Sequence, residues 1–209
     1  MCKTITWAKV NQITKIDNLE FIYDYTGLAG IINGITGYFY RKNAQGDIIA
    51  LVDRSGNVVV KYVYDTWGNH KIFDNDGNEI TSSTYIGVIN PFRYRGHYYD
   101  EETQLYWVSS RYYSPELCRW ISPDSIEYLD PQSINGLNLY CYCMNNPIIY
   151  VNPSGHFVIT LSAVLAAVAI GAAIGAVSGA VGMIIDILRN RKNQKQKVSV
   201  NNQLYAYCF

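Results

Sequence analysis

The side chains that could do chemistry in this chain of 209 residues are few and scattered. His70, His97 and His156 lie in different segments with no shared spacing, so neither a metal triad nor a Ser/His/Asp set is indicated. Cys141-Tyr-Cys143 puts two thiols on one face of a strand, and Cys118 with a histidine could complete a zinc site. Their i, i+2 spacing lacks the usual Cys-x2–4-Cys loop, however, and free cysteine commonly packs as a small hydrophobe. Cys2 and Cys208 bring the cysteines to five, an odd number too scattered for a disulfide framework. No glycine-rich phosphate loop is present. The expectation is a chain with no metal, no cofactor and no soluble active site.

The elements available to position these residues read mostly as strands. Hydrophobic residues make up 49% of the chain, enough for a core, while charged residues make up only 16% and tyrosine occurs 19 times. Gly37, Gly46, Gly56, Gly68 and Gly77 recur every 9 to 12 residues between β-branched runs, which is hairpin spacing. The clearest hairpin joins Asp47–Val52 to Asn57–Tyr64 through Asp53-Arg-Ser-Gly56. Tyrosines at i and i+2 (Tyr23/Tyr25, Tyr38/Tyr40, Tyr62/Tyr64, Tyr140/Tyr142) would share a strand face and form ladders across neighbouring strands. Tyr23-Asp-Tyr-Thr-Gly27 and Tyr64-Asp-Thr-Trp-Gly68 read as two copies of one strand-then-turn unit.

Further along, the chain runs Asn90-Pro-Phe-Arg-Tyr-Arg-Gly-His-Tyr-Tyr-Asp-Glu-Glu-Thr-Gln-Leu-Tyr-Trp107, then Ser110-Arg-Tyr-Tyr-Ser-Pro-Glu-Leu-Cys-Arg-Trp-Ile-Ser-Pro-Asp124. Gly136-Leu-Asn-Leu-Tyr-Cys-Tyr-Cys-Met-Asn-Asn-Pro147 and Val151-Asn-Pro-Ser-Gly155 follow. These motifs, in this order, resemble the RHS repeat-associated core domain that closes the YD-repeat shells of bacterial polymorphic toxins, insecticidal toxin complexes and teneurins. With the upstream Tyr-Asp units, the resemblance covers roughly residues 20 to 155. It implies a spiral β-sheet wound into a hollow cage with the core as its terminal plug, and a variable, often toxic, chain beyond. A complete cage needs many more strands than this, so the chain reads as the carboxy-terminal part of a longer protein, lacking its toxin domain.

Some members of that family cut themselves just after a terminal Asp-Pro-x-Gly-Leu, using paired carboxylates of aspartic-protease type, one as base and one as acid. Here the motif is Asn152-Pro153-Ser154-Gly155-His156, with an amide replacing the carboxylate and histidine replacing leucine. Asparagine cannot exchange a proton near neutral pH. Asp124 matches the family's other aspartate and is the remaining candidate, with Asp130 less specific. An aspartate after proline is also ordinary turn chemistry, so Asp124 is expected to be structural and self-cleavage weak or absent. On this reading the protein is not an enzyme.

From Phe157 to Ile185 no residue is charged. A helix of about 20 apolar residues covers a bilayer core of about 30 Å, so this run is long enough to span one. Ala163, Ala167, Gly171, Gly175 and Gly179 fall at successive i+4 positions, with Gly182 near the same stripe, a small-residue ridge suited to helix packing. Arg189, Arg191, Lys192, Lys195 and Lys197 then form a basic flank. The formal net charge is zero, although residues 1–156 carry 12 Lys/Arg against 16 Asp/Glu and residues 157–209 carry 5 against 1. No nucleic-acid partner is expected of such a chain.

The fold expected is mainly β: an antiparallel YD-repeat sheet, part of a spiral shell, with a core plug and then a hydrophobic glycine-zipper α-helix. YD-repeat strands occupy 1–84, the core domain 85–156, the helix 157–188 and a basic tail 189–209. Its expected role is structural, within a toxin-encapsulating or cell-surface shell, with the rest of that shell as partner. An alternative makes 157–185 a membrane-inserting or pore-forming element that meets lipid or self-associates through the zipper. The location implied is membrane-associated, or secreted and at the cell surface within a larger protein, with no signal peptide at Met1–Val10.

Overall fold

The computed structural model describes residues 3–9, 12–25, 27–132, 135–156, 158–163, 165–167 and 169–170. The chain divides into two compact units, Met1–Leu161 and Ser162–Phe209. The first is built on an eight-stranded antiparallel sheet that follows chain order: β1 (Ile5–Lys9), β2 (Gln12–Ile16), β3 (Leu19–Asp24), β4 (Gly27–Asn33), β5 (Thr36–Lys42), β6 (Ile48–Val52), β7 (Val58–Tyr64) and β8 (His70–Phe73). The sheet is not closed, its order running from β1 at one edge to β8 at the other. A single α-helical turn, α1 (Ile86–Ile89), leads to a second antiparallel sheet. That sheet has the order β12 (Arg119–Trp120), β11 (Arg111–Ser114), β10 (Leu105–Val108), β9 (Tyr98–Asp100). A last pair, β13 (Tyr150–Val151) and β14 (Ile159–Thr160), brings the chain back on itself after Gly155.

One turn chemistry repeats between the strands of the large sheet. In Asp53-Arg-Ser-Gly-Asn57, Asp65-Thr-Trp-Gly-Asn69 and Asp74-Asn-Asp-Gly-Asn78 the aspartate Oδ1 accepts the asparagine backbone N–H at 2.8–2.9 Å. Its Oδ2 accepts the asparagine side-chain amide at 2.7–3.1 Å. The glycine takes φ near +90°, where a side chain would be strained. These amide donors, the asparagine side chain first, hold the Asp53 and Asp74 carboxyls below their ordinary range.

Between β5 and β6 the same turn is written in reverse, Asn43-Ala-Gln-Gly-Asp47. Asn43 Oδ1 accepts the Asp47 N–H at 2.9 Å, while its amide donates to Asp47 Oδ2 at 2.6 Å. The exchange moves the carboxylate to the buried end, where Asp47 Oδ1 accepts the Arg95 backbone N–H at 2.9 Å and lies 3.4 Å from Arg95 Nε. The repeating unit is thus Asp/Asn-x-x-Gly-Asn/Asp. Tyr23–Gly27 is not a copy of it, because Asp24 pairs directly with Gly27 across a tighter reversal and Tyr25 is exposed rather than sharing a face with Tyr23.

Two clusters of side chains form the core. Ile31, Ile48, Leu51 and Val60, all fully buried, centre the first beneath the large sheet. The second is mostly tyrosine: Tyr94, Tyr99, Tyr106, Tyr113 and Tyr142, with Trp120, Val108 and Cys143. Register explains it, since Tyr106 pairs with Tyr113 and Tyr113 with Trp120 across β10, β11 and β12, giving one aromatic row. Tyr142 stacks on Tyr113 at 3.9 Å. The Tyr140/Tyr142 stretch is not a strand, contrary to expectation: Cys143, Met144 and Asn145 all take φ between 48° and 60°, which ends extended backbone and turns the chain. Cys141 and Cys143 therefore do not line one strand face, and burial pushes the Cys143 thiol up to about 12.

The buried hydroxyls of this row reach the large sheet through one turn. Tyr94, Tyr113 and Tyr106 donate to the carbonyls of Thr66, Trp67 and Gly68 at 2.9, 2.7 and 3.0 Å. Beside them Arg93, with no exposed surface, donates from Nη2 to the Val88 carbonyl at 2.8 Å and to Glu101 at 2.5 Å. Its Nη1 lies 2.5 Å from His70 Nε2, so that nitrogen acts as acceptor and the ring is neutral. Burial, then the Arg93 charge, pulls the His70 pKa down to about 3, and burial beside Arg95 pulls His97 down to about 4.

Both histidines take up protons more readily unfolded than folded. Their contribution to stability is therefore complete above about pH 6.5 and is lost as the pH falls through about 4 for His97 and about 3 for His70. Denaturant titrations should show the unfolding free energy falling by roughly 1–3 kcal/mol per pH unit across that window. His70→Gln should flatten the dependence, and an unchanged slope in that variant would contradict the neutral assignment.

Candidate functional site

The turn Val108-Ser-Ser-Arg111 starts β11 and aims Arg111 inward, over the Trp120 ring at 4.2 Å. A guanidinium so placed must find acceptors, because an unpaired buried charge is costly. Arg111 Nη2 meets Asp124 Oδ2 at 2.6 Å. Its Nε donates to the Gly155 carbonyl at 2.5 Å, and Nη2 donates to the same oxygen. Nη1 donates to the Leu139 carbonyl at 3.3 Å. Burial pulls the Arg111 pKa down while the Asp124 charge pushes it back.

Asp124 is held by its backbone N–H, which donates to the Leu139 carbonyl at 2.9 Å. Its Oδ1 accepts the Ser125 N–H at 2.9 Å and lies 2.5 Å from His156 Nδ1. The His156 ring stacks on Tyr128, centroids 5.6 Å apart and planes at 11°. Asn152 is buried, and its Oδ1 accepts the Gly155 N–H at 2.9 Å. Gly155 takes φ +87°, and a Cβ there would come within 2.7 Å of the Val108 carbonyl and of Ser110 Oγ. No other residue fits that approach without moving backbone. Ser110 Oγ also donates to the Ser154 carbonyl at 3.0 Å. A cleft of about 330 Å³ opens beside this junction, lined among others by Arg111, Asp124, Tyr128, Asp130, Asn152 and His156.

The fold thus gathers Asp124, Asp130, Asn152 and His156, up to 32 residues apart in the chain, around one cleft, with Gly155 bonded to Arg111 and Asn152 beside it and Pro153 and Ser154 in the same loop. His70 and His97 belong instead to the arginine-rich layer between the sheets. Among the described residues no group of three or more His, Cys, Asp or Glu side chains could hold a metal ion. Arg111 is the residue to which sequence reasoning gave no role. Its signal was an arginine flanked by strand tyrosines, in a segment where an inward-facing charge must borrow a distant carboxylate.

Beyond the junction, helical backbone is described at 161–163, 165–167 and 169–170, which includes Ala163 and Ala167. Gly171, Gly175, Gly179, Gly182 and the basic residues Arg189, Arg191, Lys192, Lys195 and Lys197 lie outside the described residues. Among those described, no helix is long and apolar enough to cross a membrane.

An open meander whose turns repeat Asp-x-x-Gly-Asn, docked on a tyrosine-rich core, defines a YD-repeat shell segment. The Teneurin YD-shell family model matches residues 38–148, more than half the chain, and the chain belongs to that family. Among curated relatives, the tRNA nuclease WapA of Bacillus subtilis is 41% identical over 121 residues, 58% of this chain and 5% of WapA. Toxin protein Tse5 of Pseudomonas aeruginosa is 39% identical over 117 residues, 56% of this chain and 8% of Tse5. This chain therefore spans less than a tenth of either relative. Among solved structures, a chain of the Photorhabdus luminescens Tc holotoxin pore shares the fold at 21% identity and TM-score 0.50, covering 74% of this chain and 8% of that one.

Removing one partner of a buried ion pair strands the other. Asp124→Ala should lower the unfolding free energy by about 3 kcal/mol, whereas Arg111→Met with Asp124→Leu together should restore most of that loss. A double-mutant cycle in denaturant measures it, and a single-variant cost below about 1 kcal/mol would contradict the burial of the pair.

Proposed function

We propose that this chain is the closing end of a YD-repeat shell, a non-catalytic structural segment that holds the chain emerging beyond Gly155. The observation that supports this best is the commitment of Asp124. Its carboxylate is engaged by Arg111 and His156, and the neighbouring side chain that contacts Gly155 is the amide of Asn152, not a second carboxyl group. Aspartic hydrolysis needs two carboxyl groups able to pass a proton, one as base and one as acid. Asn152 supplies neither, so the junction holds and does not cut.

Read this way, the YD-repeat strands of 1–84 and the core of 85–156 act within a longer protein whose remaining shell is the partner, in a secreted or surface-exposed assembly. The activities named in the relatives, a tRNA nuclease and a toxin, are those of proteins many times longer than the part matched here.

The purified chain, kept for days at neutral pH and then denatured, should give one species of full-length mass. Two fragments meeting between Gly155 and Phe157, lost in Asp124→Asn, would contradict a holding role.

A further inference from the structure

An edge strand leaves one side of its backbone unbonded, and natural sheets cover such edges or pair them. In the two larger sheets, the chain itself covers three of the four outer strands. Against β8, Glu79 bridges Phe73, and the Ile80 N–H donates to the Ile72 carbonyl at 2.8 Å. Phe92 bridges Tyr98 beside β9, and the Trp120 N–H of β12 donates to the Tyr140 carbonyl at 3.0 Å. Among the described residues β1 has no such cover, and its Ile5 and Trp7 are 38% and 46% exposed.

The second sheet is apolar on both faces. Tyr99, Tyr106, Tyr113 and Trp120 form its inner row, and the alternate residues Tyr98, Trp107, Tyr112 and Ile121 form an outer one. Strands apolar on both sides belong to sheets covered on both sides. The large sheet covers this outer row from one end only. Phe21 of β3 packs edge-on against Phe92 and Phe92 against Tyr98, with ring centroids 4.9 and 6.1 Å apart, and Trp7 of β1 packs against Trp107 at 5.4 Å. Thus β3 reaches β9 and β1 reaches β10, while Tyr112 on β11 and Ile121 just after β12 are each 47% exposed. One further strand bonded to the free edge of β1 continues that progression and lies over Tyr112 and Ile121.

We propose that the edge of β1 and the Tyr112–Ile121 end of the outer row form one seat for a single extended strand from the shell outside these 209 residues. This rests on the reading of the chain as part of a longer shell, and it spans less than a tenth of the relatives it matches. The backbone of that strand pairs with β1, and its apolar side chains, at alternate positions, rest on Tyr112 and Ile121. A second copy of this chain cannot be the occupant. Paired antiparallel through its own β1, it would carry its own second sheet into the space that β11 and β12 fill. The seat lets the core grip a strand beyond the eight of the large sheet.

The test uses the full chain and a fluorescein-labelled synthetic peptide of the β5 sequence, Thr36-Gly-Tyr-Phe-Tyr-Arg-Lys42, as the shell strand. Its tyrosines sit at alternate positions, and a control peptide carries serine at both. Fluorescence anisotropy should show saturable binding of the first peptide and none of the second. Tyr112→Lys or Ile121→Lys, at half-exposed positions, should each weaken binding about 10-fold with the thermal melt unchanged. Hydrogen exchange should slow at amides of β1 on binding and stay unchanged in β8. No saturable binding, binding indifferent to both lysine variants, or protection at another edge would each overturn the proposal. So would a dimer of the chain alone in which the β1 amides are protected. The holding role survives any of these results, because it is read from the mass of the intact chain.

Discussion

A buried tyrosine carries a hydroxyl that must find an acceptor, and this fold meets that demand largely with backbone carbonyls. The Asp65–Asn69 turn is the central case. Its aspartate satisfies the turn from within, through the Asn69 N–H and side-chain amide, which leaves the carbonyls of Thr66, Trp67 and Gly68 facing outward. Tyr94, Tyr106 and Tyr113 dock on those three carbonyls, and through them the second sheet is fixed to the end of the first. The same economy recurs where Tyr62 donates to the Gly87 carbonyl and Tyr64 to that of Ile48. A chain with few charges thus builds a polar-tipped core from its 19 tyrosines.

Arginine handles the longer distances. Arg93, Arg95 and Arg111 are each largely removed from water, and each is matched with a carboxylate, Glu101, Asp47 and Asp124 respectively. Each also donates to a main-chain carbonyl, those of Val88, Pro147 and Gly155. Buried pairs of this kind contribute little net stability compared with well-packed apolar residues, but breaking one is costly. Here they determine which loop meets which strand. Arg95 spans 52 residues to Pro147, and Arg111 spans 44 to Gly155.

The local parts of this arrangement were legible in the sequence. Glycine spacing and β-branched runs identified the hairpins from β5 to β8, and Asp53-Arg-Ser-Gly56 marked its turn correctly, because those signals are set by residues a few positions apart; Gly37 lies within β5, and the turn before it falls at Gly34. The strands β1 and β2, before Phe21, lacked such punctuation. Period-two tyrosines failed where backbone conformation overrode them: Tyr25 falls past the end of β3, and Tyr142 precedes three residues in the left-handed region. Asp124, Asn152, Gly155 and His156 were found through motif resemblance. The partner that Asp124 and Gly155 share was not, because Arg111 acquires its role only when β11 and the loop after β13 meet, an event no short window of sequence records.

The junction after β13 is locked to the second sheet by Arg111 and does not fray from it. Hydrogen exchange of the Gly155 amide, followed beside the Tyr106 and Tyr113 amides of β10 and β11, tests this most directly. The amide bonds to Asn152 Oδ1 inside the site. It should be protected and should exchange together with the two strand amides in one cooperative opening. Exchange at Gly155 at the rate of a free peptide, while those strands remain protected, would contradict it.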